Sequence, residues 1–567
     1  MRGDTHAGDK KVPIGIEDFK KIIDKNCYFV DKTLMIKDLL NSGADVILFT
    51  RPRRFGKTLN LSMIKYFFEK TEESNAYLFD NMNISKYPEY MAYQGQYPVI
   101  SLSLKSMKQP TFEESFEVFK ELIKFEFLRH KKVIFNSNKT EKTNLDKVSR
   151  FIEMKADKAE YNTSVSFLSK ILADVYNKKV IILIDEYDVP LENAYACGFY
   201  EKMINLVRSV FESALKTNSS LEFGVLTGCM RVSKESIFTV LNNLMVCSIL
   251  NAEFNTAFGF TQKEIDEMLE YYQLSEKQKD IKKWYDGYNF GRAEIYNPWS
   301  ALNYIKTANA DKNAPMIPYW SNTSSNIIVK RLIEESDEET KAVVEELING
   351  VPVESYIYED VTYGEIDVNS NCIWSFLLFT GYLKVIDRQS VNNRQLYKMV
   401  IPNLEIKTIY EDSIVNWFDK NIKSENRDDF FKSVLEKDAD KINKYIQNWL
   451  ADTISYYDEK ENYYHGFLAG VLTGFKGYRV VSNRESGNGR YDLFIKSRIG
   501  RNTGIIFEFK ISPTEDEMET YADIALQQIE DRNYEQELRN DRYQKIIKYG
   551  ISFCEKLCYV KLSPYSD

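Results

Sequence analysis

The sequence has very few histidines and no paired cysteines. Because only three histidines are available, His6, His130 and His465, a hydrolase built around a catalytic histidine is not expected. The seven cysteines are scattered without a C-x-x-C pair, which disfavours a zinc site and fits reduced thiols in the cytosol. Any catalytic chemistry is therefore expected to use carboxylates, lysines and arginines together with a metal ion.

The sequence also lacks a long apolar run. No stretch approaches the roughly 20 apolar residues of a membrane helix. The polar start MRGDTHAGDKK has no apolar segment of the kind found in signal peptides. We therefore expect a cytoplasmic protein without a membrane partner. The net charge of −9 argues against a protein covered in nucleic acid but is compatible with a local basic groove.

The stretch TRPRRFGKTLNL, residues 50–61, stands between an apolar strand and an apolar helix. It ends in Gly56, Lys57 and Thr58, as a phosphate-binding loop does. In such loops backbone amides hold phosphate oxygens, the lysine neutralises phosphate charge and the hydroxyl binds Mg²⁺. Arg51 occupies the position at which that motif has its first glycine. The strand and helix beside the triplet, more than the triplet itself, predict a nucleotide site.

A second apolar strand, residues 180–184, ends in Asp185 and Glu186. Its unbroken apolar run is typical of a central strand that is buried on both faces. We expect Asp185 to orient Mg²⁺ and Glu186 to activate water. The alternative is a strand that ends in a solvated acidic turn.

A third strand, LEFGVLTG, places Thr227 at its end and Arg231 shortly after it. A polar residue at this strand end can sense the γ-phosphate of a bound ATP, and Arg231 can respond to the same phosphate. The alternative is an ordinary strand of the core.

Five motifs, in this order, resemble a bacterial family of AAA-ATPase-like proteins that carry a C-terminal nuclease-superfamily domain. They are YFVDKT (28–33), RPRRFGKT (51–58), ILIDEYD (182–188), TGCMRVSKESIF (227–238) and WYDGYNF…YNPWS (284–300). The resemblance extends from Val12 to Val560 and implies bound ATP and Mg²⁺.

The resemblance also bears on the arginines of the loop. In this family the loop typically reads Arg-Pro-Arg-Arg-Phe-Gly-Lys-Ser/Thr, so Arg51 follows the family pattern. Pro52 nevertheless removes one N–H donor from the phosphate cradle. We expect Arg51, Arg53 and Arg54 to supply guanidinium donors to phosphate instead. The alternative is that they pair with acidic neighbours and only hold the loop.

The last part of the chain predicts three successive antiparallel strands joined by Gly/Asn turns. Glu508 and Lys510 are two residues apart and point to the same face of one strand, and Asp492 on the preceding strand can point there too. Asp492, Glu508 and the carbonyl of Phe509 are expected to bind Mg²⁺. Lys510 is expected to position the attacking water or to stabilise the charge that develops on phosphorus.

This Asp…Glu-x-Lys arrangement resembles the PD-(D/E)XK nuclease superfamily. The resemblance implies a restriction-endonuclease-like α/β domain. It adds Glu461 on the preceding helix and Gln528 on the following helix as site residues. Tyr534 departs from the RecB-like Gln-x-x-x-Tyr pattern because it stands six residues after Gln528, so its role has weak support.

Together these interpretations predict an α/β protein with three parts. They are a P-loop, AAA-type ATPase-like domain with a parallel sheet (12–257), a helical lid with a middle α+β region (258–428), and a PD-(D/E)XK nuclease-like domain (429–567). The expected function is an ATP-binding and ATP-hydrolysing module that controls Mg²⁺-dependent cleavage of DNA or RNA. One alternative is a nucleotide-dependent switch whose nuclease-like domain holds a partner without cleaving. The other is a scaffold in which both sites have decayed. The oligomeric state is not predicted.

Overall fold

The computed structural model describes most of the chain, which divides into two compact units. The first unit comprises Met1–Thr323 and Val353–Ile406, and the second comprises Ser324–Pro352 and Lys407–Asp567. The three-part division predicted above stays a prediction. The residues that the structure does not describe are 1–9, 232–242, 321–337, 349, 360–369, 411–423, 454–463, 465–467, 469–470, 473–476, 483–484, 487–488, 491–492, 498–502 and 565–567.

The strands of the described residues are numbered in chain order. They are β1 Val46–Thr50, β2 Val99–Ser103, β3 Val180–Asp185, β4 Leu221–Gly228, β5 Leu244–Cys247, β6 Tyr288–Phe290, β7 Ala293–Ile295, β8 Val353–Tyr356, β9 Lys384–Val391, β10 Arg394–Val400, β11 Tyr478–Ser482, β12 Glu485–Ser486, β13 Gly489–Arg490, β14 Leu493–Ser497, β15 Thr503–Ile511, β16 Lys545–Cys554 and β17 Leu557–Leu562.

The α-helices of the described residues are numbered in the same way. They are α1 Phe19–Asp24, α2 Leu34–Asn41, α3 Lys57–Phe68, α4 Pro88–Met91, α5 Phe112–Phe135, α6 Lys142–Ile152, α7 Lys158–Asn162, α8 Ser164–Tyr176, α9 Val189–Ala196, α10 Tyr200–Phe211, α11 Gln262–Tyr271, α12 Gln278–Tyr285, α13 Pro298–Ala310, α14 Glu338–Ile348, α15 Ser370–Thr380, α16 Ser424–Glu436, α17 Ala439–Thr453, α18 Met518–Asp531 and α19 Glu535–Asn540.

The centre of the first unit is a five-stranded parallel sheet in the order β2-β3-β4-β1-β5. Strands β1 and β3 are buried along their whole length, as their unbroken apolar sequences predict. Because β4 lies between them, the carboxyl ends of β1, β4 and β3 meet at one edge of the sheet. Ligands of open parallel sheets bind at this edge.

The loop between β1 and α3 has an unusual backbone. Gly56, the N-cap of α3, has a φ of 81°, and Arg54 has a φ of 71°. A Cβ at Gly56 would have no atom within 4 Å, so the glycine is needed for its left-handed conformation rather than for space. Helix α3 then starts at Lys57 and directs its first N–H groups toward the sheet edge.

Part of the predicted lid and middle region belongs to the first unit and packs on this loop. Helix α11 begins with the predicted capping box, in which Thr261 and Glu264 accept each other's backbone N–H groups. The aromatic stretch before α13 forms the β6–β7 hairpin. The Phe55 ring of the loop lies 5.0 Å from the Tyr288 ring and 5.2 Å from the Phe290 ring, between centroids. The hairpin therefore supports the loop by packing.

The second unit is built on a mixed five-stranded sheet in the order β11-β14-β15-β16-β17. Strands β11, β14 and β15 are successive antiparallel neighbours, which confirms the prediction. Strand β16 is parallel to β15 because helix α18 carries the chain back across the sheet. A Cβ at Gly550 of β16 would lie 2.3 Å from the carbonyl oxygen of Ala522, so this glycine lets α18 approach the sheet.

The first unit also buries the carboxyl group of Glu405. It accepts hydrogen bonds from the Ser300 hydroxyl at 2.7 Å and from the Trp320 N–H at 2.9 Å. Both donors are neutral, so they offset only part of the cost of burying a charge. Burial raises the pKa of Glu405 from its ordinary 4.5 to about 7.

We expect the stability of the first unit to fall as pH rises from about 4.5 to about 7. The folded state keeps the Glu405 proton over a range in which the unfolded chain has already lost it, so the unfolded state is favoured as pH increases. The shift corresponds to roughly 3 kcal/mol. Glu405→Gln should flatten the decline in the midpoint of thermal unfolding between these pH values. Glu270→Gln, which changes an exposed glutamate, should leave this decline unchanged. Equal slopes of the unfolding midpoint against pH in the two variants would contradict this account.

Candidate functional site

Three predicted site residues meet at the carboxyl edge of the parallel sheet. Thr58 Oγ1 donates to Asp185 Oδ2 at 2.7 Å, and Thr227 Oγ1 donates to Asp185 Oδ1. Asp185 is buried, so a hydroxyl group from a different element holds each of its oxygens. Thr58 comes from the first turn of α3, Asp185 from the end of β3 and Thr227 from the end of β4. We call these three residues the Asp185 cluster.

Lys57 is buried beside this cluster and is folded over the loop. Its Nζ donates to the carbonyl oxygens of Arg51 at 2.8 Å and Pro52 at 2.9 Å, and it lies 3.6 Å from Cys229 Sγ. The ammonium group is thus held inside the loop and close to the start of a helix. That position suits the neutralisation of a phosphate group.

Glu186 lies at the margin of the Asp185 cluster and is half-buried. Its φ of 52° is uncommon for a residue with a side chain, and its N–H donates to Thr227 Oγ1 at 3.4 Å. Burial raises the pKa of Glu186, and the neighbouring Asp185 charge raises it further. A carboxylate whose pKa is raised is better suited to accept a proton from water.

Arg51 has a different position from the one predicted. It is fully buried, and its guanidinium donates to the carbonyl oxygens of Thr50 at 2.9 Å, Cys247 at 2.7 Å and Phe254 at 3.3 Å. The group also lies 5.0 Å from the centre of the Phe290 ring. Its position does not support the prediction that it donates to phosphate, because these donors are directed to the protein's own carbonyl groups. Arg51 instead ties the loop to β5 and to the segment after β5.

The other two loop arginines differ from Arg51. Arg53 pairs with Glu192 of α9 at 2.5 Å, which is the arrangement considered above as the alternative to phosphate binding. Arg54 is exposed, and its guanidinium lies 4.1 Å above the Trp299 ring. A role for either residue in phosphate binding stays a prediction.

The structure adds Asp188 and Tyr187, which the sequence analysis gave no role. Buried Asp188 accepts the N–H groups of Cys229 at 2.7 Å and Met230 at 3.2 Å, and the Tyr187 hydroxyl donates to the Met230 carbonyl at 2.5 Å. Burial raises the pKa of Asp188. These bonds fix the segment after β4, on which Arg231 stands; the predicted role of Arg231 stays a prediction. The only local signal for Asp188 was its place three residues after Asp185.

The second unit brings together three of the predicted nuclease residues. Glu508, which is buried, and Lys510, which is half-buried, lie on one face of β15, with Lys510 Nζ 3.5 Å from Glu508 Oε1. Lys510 also donates to the carbonyl of Phe509 at 2.9 Å. Gln528 of α18 donates to Glu508 Oε1, and its Nε2 lies 3.2 Å from the Tyr534 hydroxyl. Strand β15 and helix α18 therefore converge on the Glu508 carboxylate.

Tyr534 joins this group although its spacing from Gln528 departs from the family pattern. Helix α18 ends at Asp531, and Asn533 has a φ of 53°. The chain therefore turns back toward the last turn of the helix, which accommodates the longer spacing. The three- to four-residue spacing of side chains on one helix face cannot predict this contact, because the helix ends before Tyr534.

Two predicted residues, Glu461 and Asp492, lie outside the described residues, and their place in the site stays a prediction. Within the part of the chain that the structure describes, no group of three or more His, Cys, Asp or Glu side chains is arranged to hold a metal ion. Glu508 is the described carboxylate of the predicted Mg²⁺ site. In the same described part, no helix is both long and apolar enough to cross a membrane.

Comparisons with known proteins match separate families to the part of the chain around Asp185 and to the part around Glu508. A family model described as "Predicted AAA-ATPase" matches residues 13–238, and one described as "PD-(D/E)XK nuclease superfamily" matches residues 459–562. The chain is also similar to an uncharacterized protein in the vnfD 5′ region of Azotobacter chroococcum mcd 1, with 23% identity over 553 residues and 96% of each chain covered. The two matched families and the predicted fold class are therefore confirmed.

Replacement of Arg51 should lower stability, whatever its effect on ligands. In Arg51→Ala the carbonyl groups of Cys247 and Phe254 lose a buried donor, and we expect a loss of about 3 kcal/mol or more in the free energy of unfolding. Arg54→Ala removes an exposed guanidinium and should cost less than about 1 kcal/mol. Thermal unfolding of both variants checks this. An Arg51→Ala protein of unchanged midpoint that has lost only nucleotide binding would identify Arg51 as a phosphate ligand.

Proposed function

We propose that this chain, which contains an AAA-ATPase-like domain and a C-terminal PD-(D/E)XK nuclease superfamily domain, couples ATP binding and hydrolysis to Mg²⁺-dependent cleavage of nucleic acid. The observation that carries the ATP part is the Asp185 cluster beside Lys57. The nuclease part is supported by the convergence of Lys510 and Gln528 on Glu508.

The residues at the sheet edge fit a nucleotide with its Mg²⁺. Thr58 and Asp185 offer the hard oxygen ligands that Mg²⁺ takes, directly or through water. Lys57 and the first N–H groups of α3 suit the negative charge of the phosphates. Asp188 Oδ1 is buried and has no hydrogen-bond partner among the described residues, so the site contains an acceptor that a bound group can use. When bound, the ion would neutralise charge on the phosphates.

The proposed hydrolysis assigns separate roles to the residues around the Asp185 cluster. Glu186 is the carboxylate suited to orient water and accept its proton, because its pKa is raised and it lies at the margin of the cluster. Thr227 bonds both the Asp185 side chain and the Glu186 N–H, so it links the metal-binding carboxylate to the proposed base. Arg231 follows the segment held by Asp188 and is proposed to respond to the γ-phosphate.

In the nuclease-like site, Glu508 and Asp492 are proposed to hold Mg²⁺. Lys510 is proposed to position water or stabilise the charge that develops on the phosphate, since its ammonium lies beside the Glu508 carboxylate. Gln528 donates to the same carboxylate oxygen and positions it, and Tyr534 supports Gln528. The bound ion would polarise the phosphodiester and lower the pKa of a bound water.

A second candidate function is a nucleotide-dependent switch whose nuclease-like domain holds a partner without cleavage. The structure of the loop favours this candidate in one respect. Lys57 is already held by two carbonyl groups and Arg53 by Glu192, so the loop is satisfied by its own contacts. A nucleotide that must replace such contacts is expected to bind with less net free energy, which suits the reversible binding of a switch.

The proposal predicts Mg²⁺-dependent cleavage that responds to ATP. We expect the unmodified protein to cut DNA or RNA, and Asp492→Ala and Lys510→Ala to reduce the rate at least about 100-fold, because the metal ligand or the charge-stabilising ammonium is removed. Lys57→Ala should keep cleavage but lose its response to ATP. The assay measures substrate cleavage with and without Mg²⁺ and ATP.

Lys561 is a half-buried lysine of β17 that pairs with Glu519 at 3.1 Å and lies outside the site. Lys561→Ala therefore serves as the matched control and should cleave like the unmodified protein. Equal cleavage by the control and by Lys510→Ala would show that the activity does not come from this site. Nucleotide binding without cleavage of either DNA or RNA would favour the switch.

A further inference from the structure

Helix α5 exposes large apolar side chains on the face away from the core. Phe125 is 62% exposed, Leu128 36% and Phe135 40%. The opposite face of α5 is buried against α6, α8 and β2 through residues such as Phe119 and Phe127. Single exposed apolar residues are ordinary, but three on one face of one helix form a stripe.

The stripe continues through neighbouring positions with a regular spacing. Successive members are separated alternately by three and four residues, which is the spacing of the contact seam between two packed helices. We call this set the α5 seam. It consists of Val118, Glu121, Phe125, Leu128, Lys132 and Phe135.

Acidic residues predominate in the first half of α5 and basic residues in its second half. Glu114, Glu117 and Glu121 lie in its first half, and Lys131 and Lys132 lie near its end. This division stabilises a single helix through its dipole, so charge alone does not indicate a partner. It becomes informative because one acidic and one basic residue, Glu121 and Lys132, lie within the seam itself.

We propose that the α5 seam binds the α5 seam of a second copy of this chain, with the two helices antiparallel. When the two-fold axis passes between residues 126 and 127, Phe125 faces Leu128 of the second copy. In the same register Glu121 faces Lys132 of the second copy, and the remaining two apolar residues of the seam face each other. A single register therefore pairs every apolar position with an apolar one and both charged positions with opposite charges.

The contacts that α5 already makes do not oppose this pairing. Lys132 Nζ lies 2.5 Å from Glu72 Oε1, but the two side chains are 71% and 73% exposed. A surface ion pair of this kind contributes little and can be exchanged. Lys131 lies 5.8 Å from the centre of the Phe135 ring, beside the seam. Formation of the pair therefore requires no change in the buried face of α5.

One pair of helices buries less area than the roughly 1,600 Å² of a standard interface. The dimer is therefore expected to be reversible and to form as the protein concentration rises. This inference does not depend on the proposed ATPase and nuclease activities, because none of the seam residues belongs to either site.

The experiment is sedimentation velocity of the full chain over a concentration series. In Glu121→Lys, the new lysine faces Lys132 of the second copy at two symmetric places in the seam. Because both pairs are then repulsive, we expect the dimer dissociation constant to rise at least about tenfold. Lys132→Glu should weaken the dimer to the same degree. An equimolar mixture of these two variants should recover dimers, because both pairs are again of opposite charge in the heterodimer. The double variant Glu121→Lys/Lys132→Glu should recover for the same reason.

Glu201→Lys makes the same charge change on α10 and should dimerise like the unmodified protein. Phe125→Glu should give monomers, with circular dichroism verifying that the exposed substitution leaves the fold intact. An unmodified protein that stays monomeric across the series would overturn the proposal. So would a dimer that the single variants do not weaken, or a mixture that fails to recover.

Discussion

The hydrogen bonds to the Asp185 carboxylate are the interaction on which the proposed nucleotide site depends. Thr58 and Thr227 each hold one carboxylate oxygen. Since Asp185 ends β3, Thr58 starts α3 and Thr227 ends β4, one side chain fixes three elements at the carboxyl edge of the sheet. The same oxygens are those a divalent ion would use, so the contacts that order the site also prepare its ligands.

The loop between β1 and α3 keeps its shape through long-range contacts in addition to the left-handed backbone of Gly56. Arg51 is bound to carbonyl groups of Cys247 and Phe254, and Arg53 is bound to Glu192. Phe55 is packed against the β6–β7 hairpin. A loop held at three successive points can place the Lys57 ammonium and the α3 amides although Pro52 contributes no N–H donor. The positions of Arg51 and Arg53 are thus explained by contacts within the fold.

Local sequence patterns were sufficient for the elements that carry the predicted site residues at the sheet edge and on β15. Apolar runs followed by acidic or polar residues predicted β3 with Asp185 and β4 with Thr227, and the Glu508–Lys510 spacing predicted a shared strand face. The burial of Arg51 could not be predicted, because two of its three carbonyl partners, those of Cys247 and Phe254, lie about 200 residues away in the chain and are backbone groups that have no sequence signature. A role for Tyr534 had only weak support because its contact depends on where α18 ends.

The central claim is that the Asp185 cluster binds a nucleotide together with Mg²⁺. Calorimetric titration of ATP into the unmodified protein and Asp185→Asn, with and without Mg²⁺, tests it most directly. We expect Mg²⁺ to lower the dissociation constant for ATP in the unmodified protein. The factor by which Mg²⁺ lowers it should be at least about tenfold smaller in Asp185→Asn, because the ion loses its carboxylate ligand. Equal tightening by Mg²⁺ in both proteins, or no ATP binding to the unmodified protein, would contradict the account.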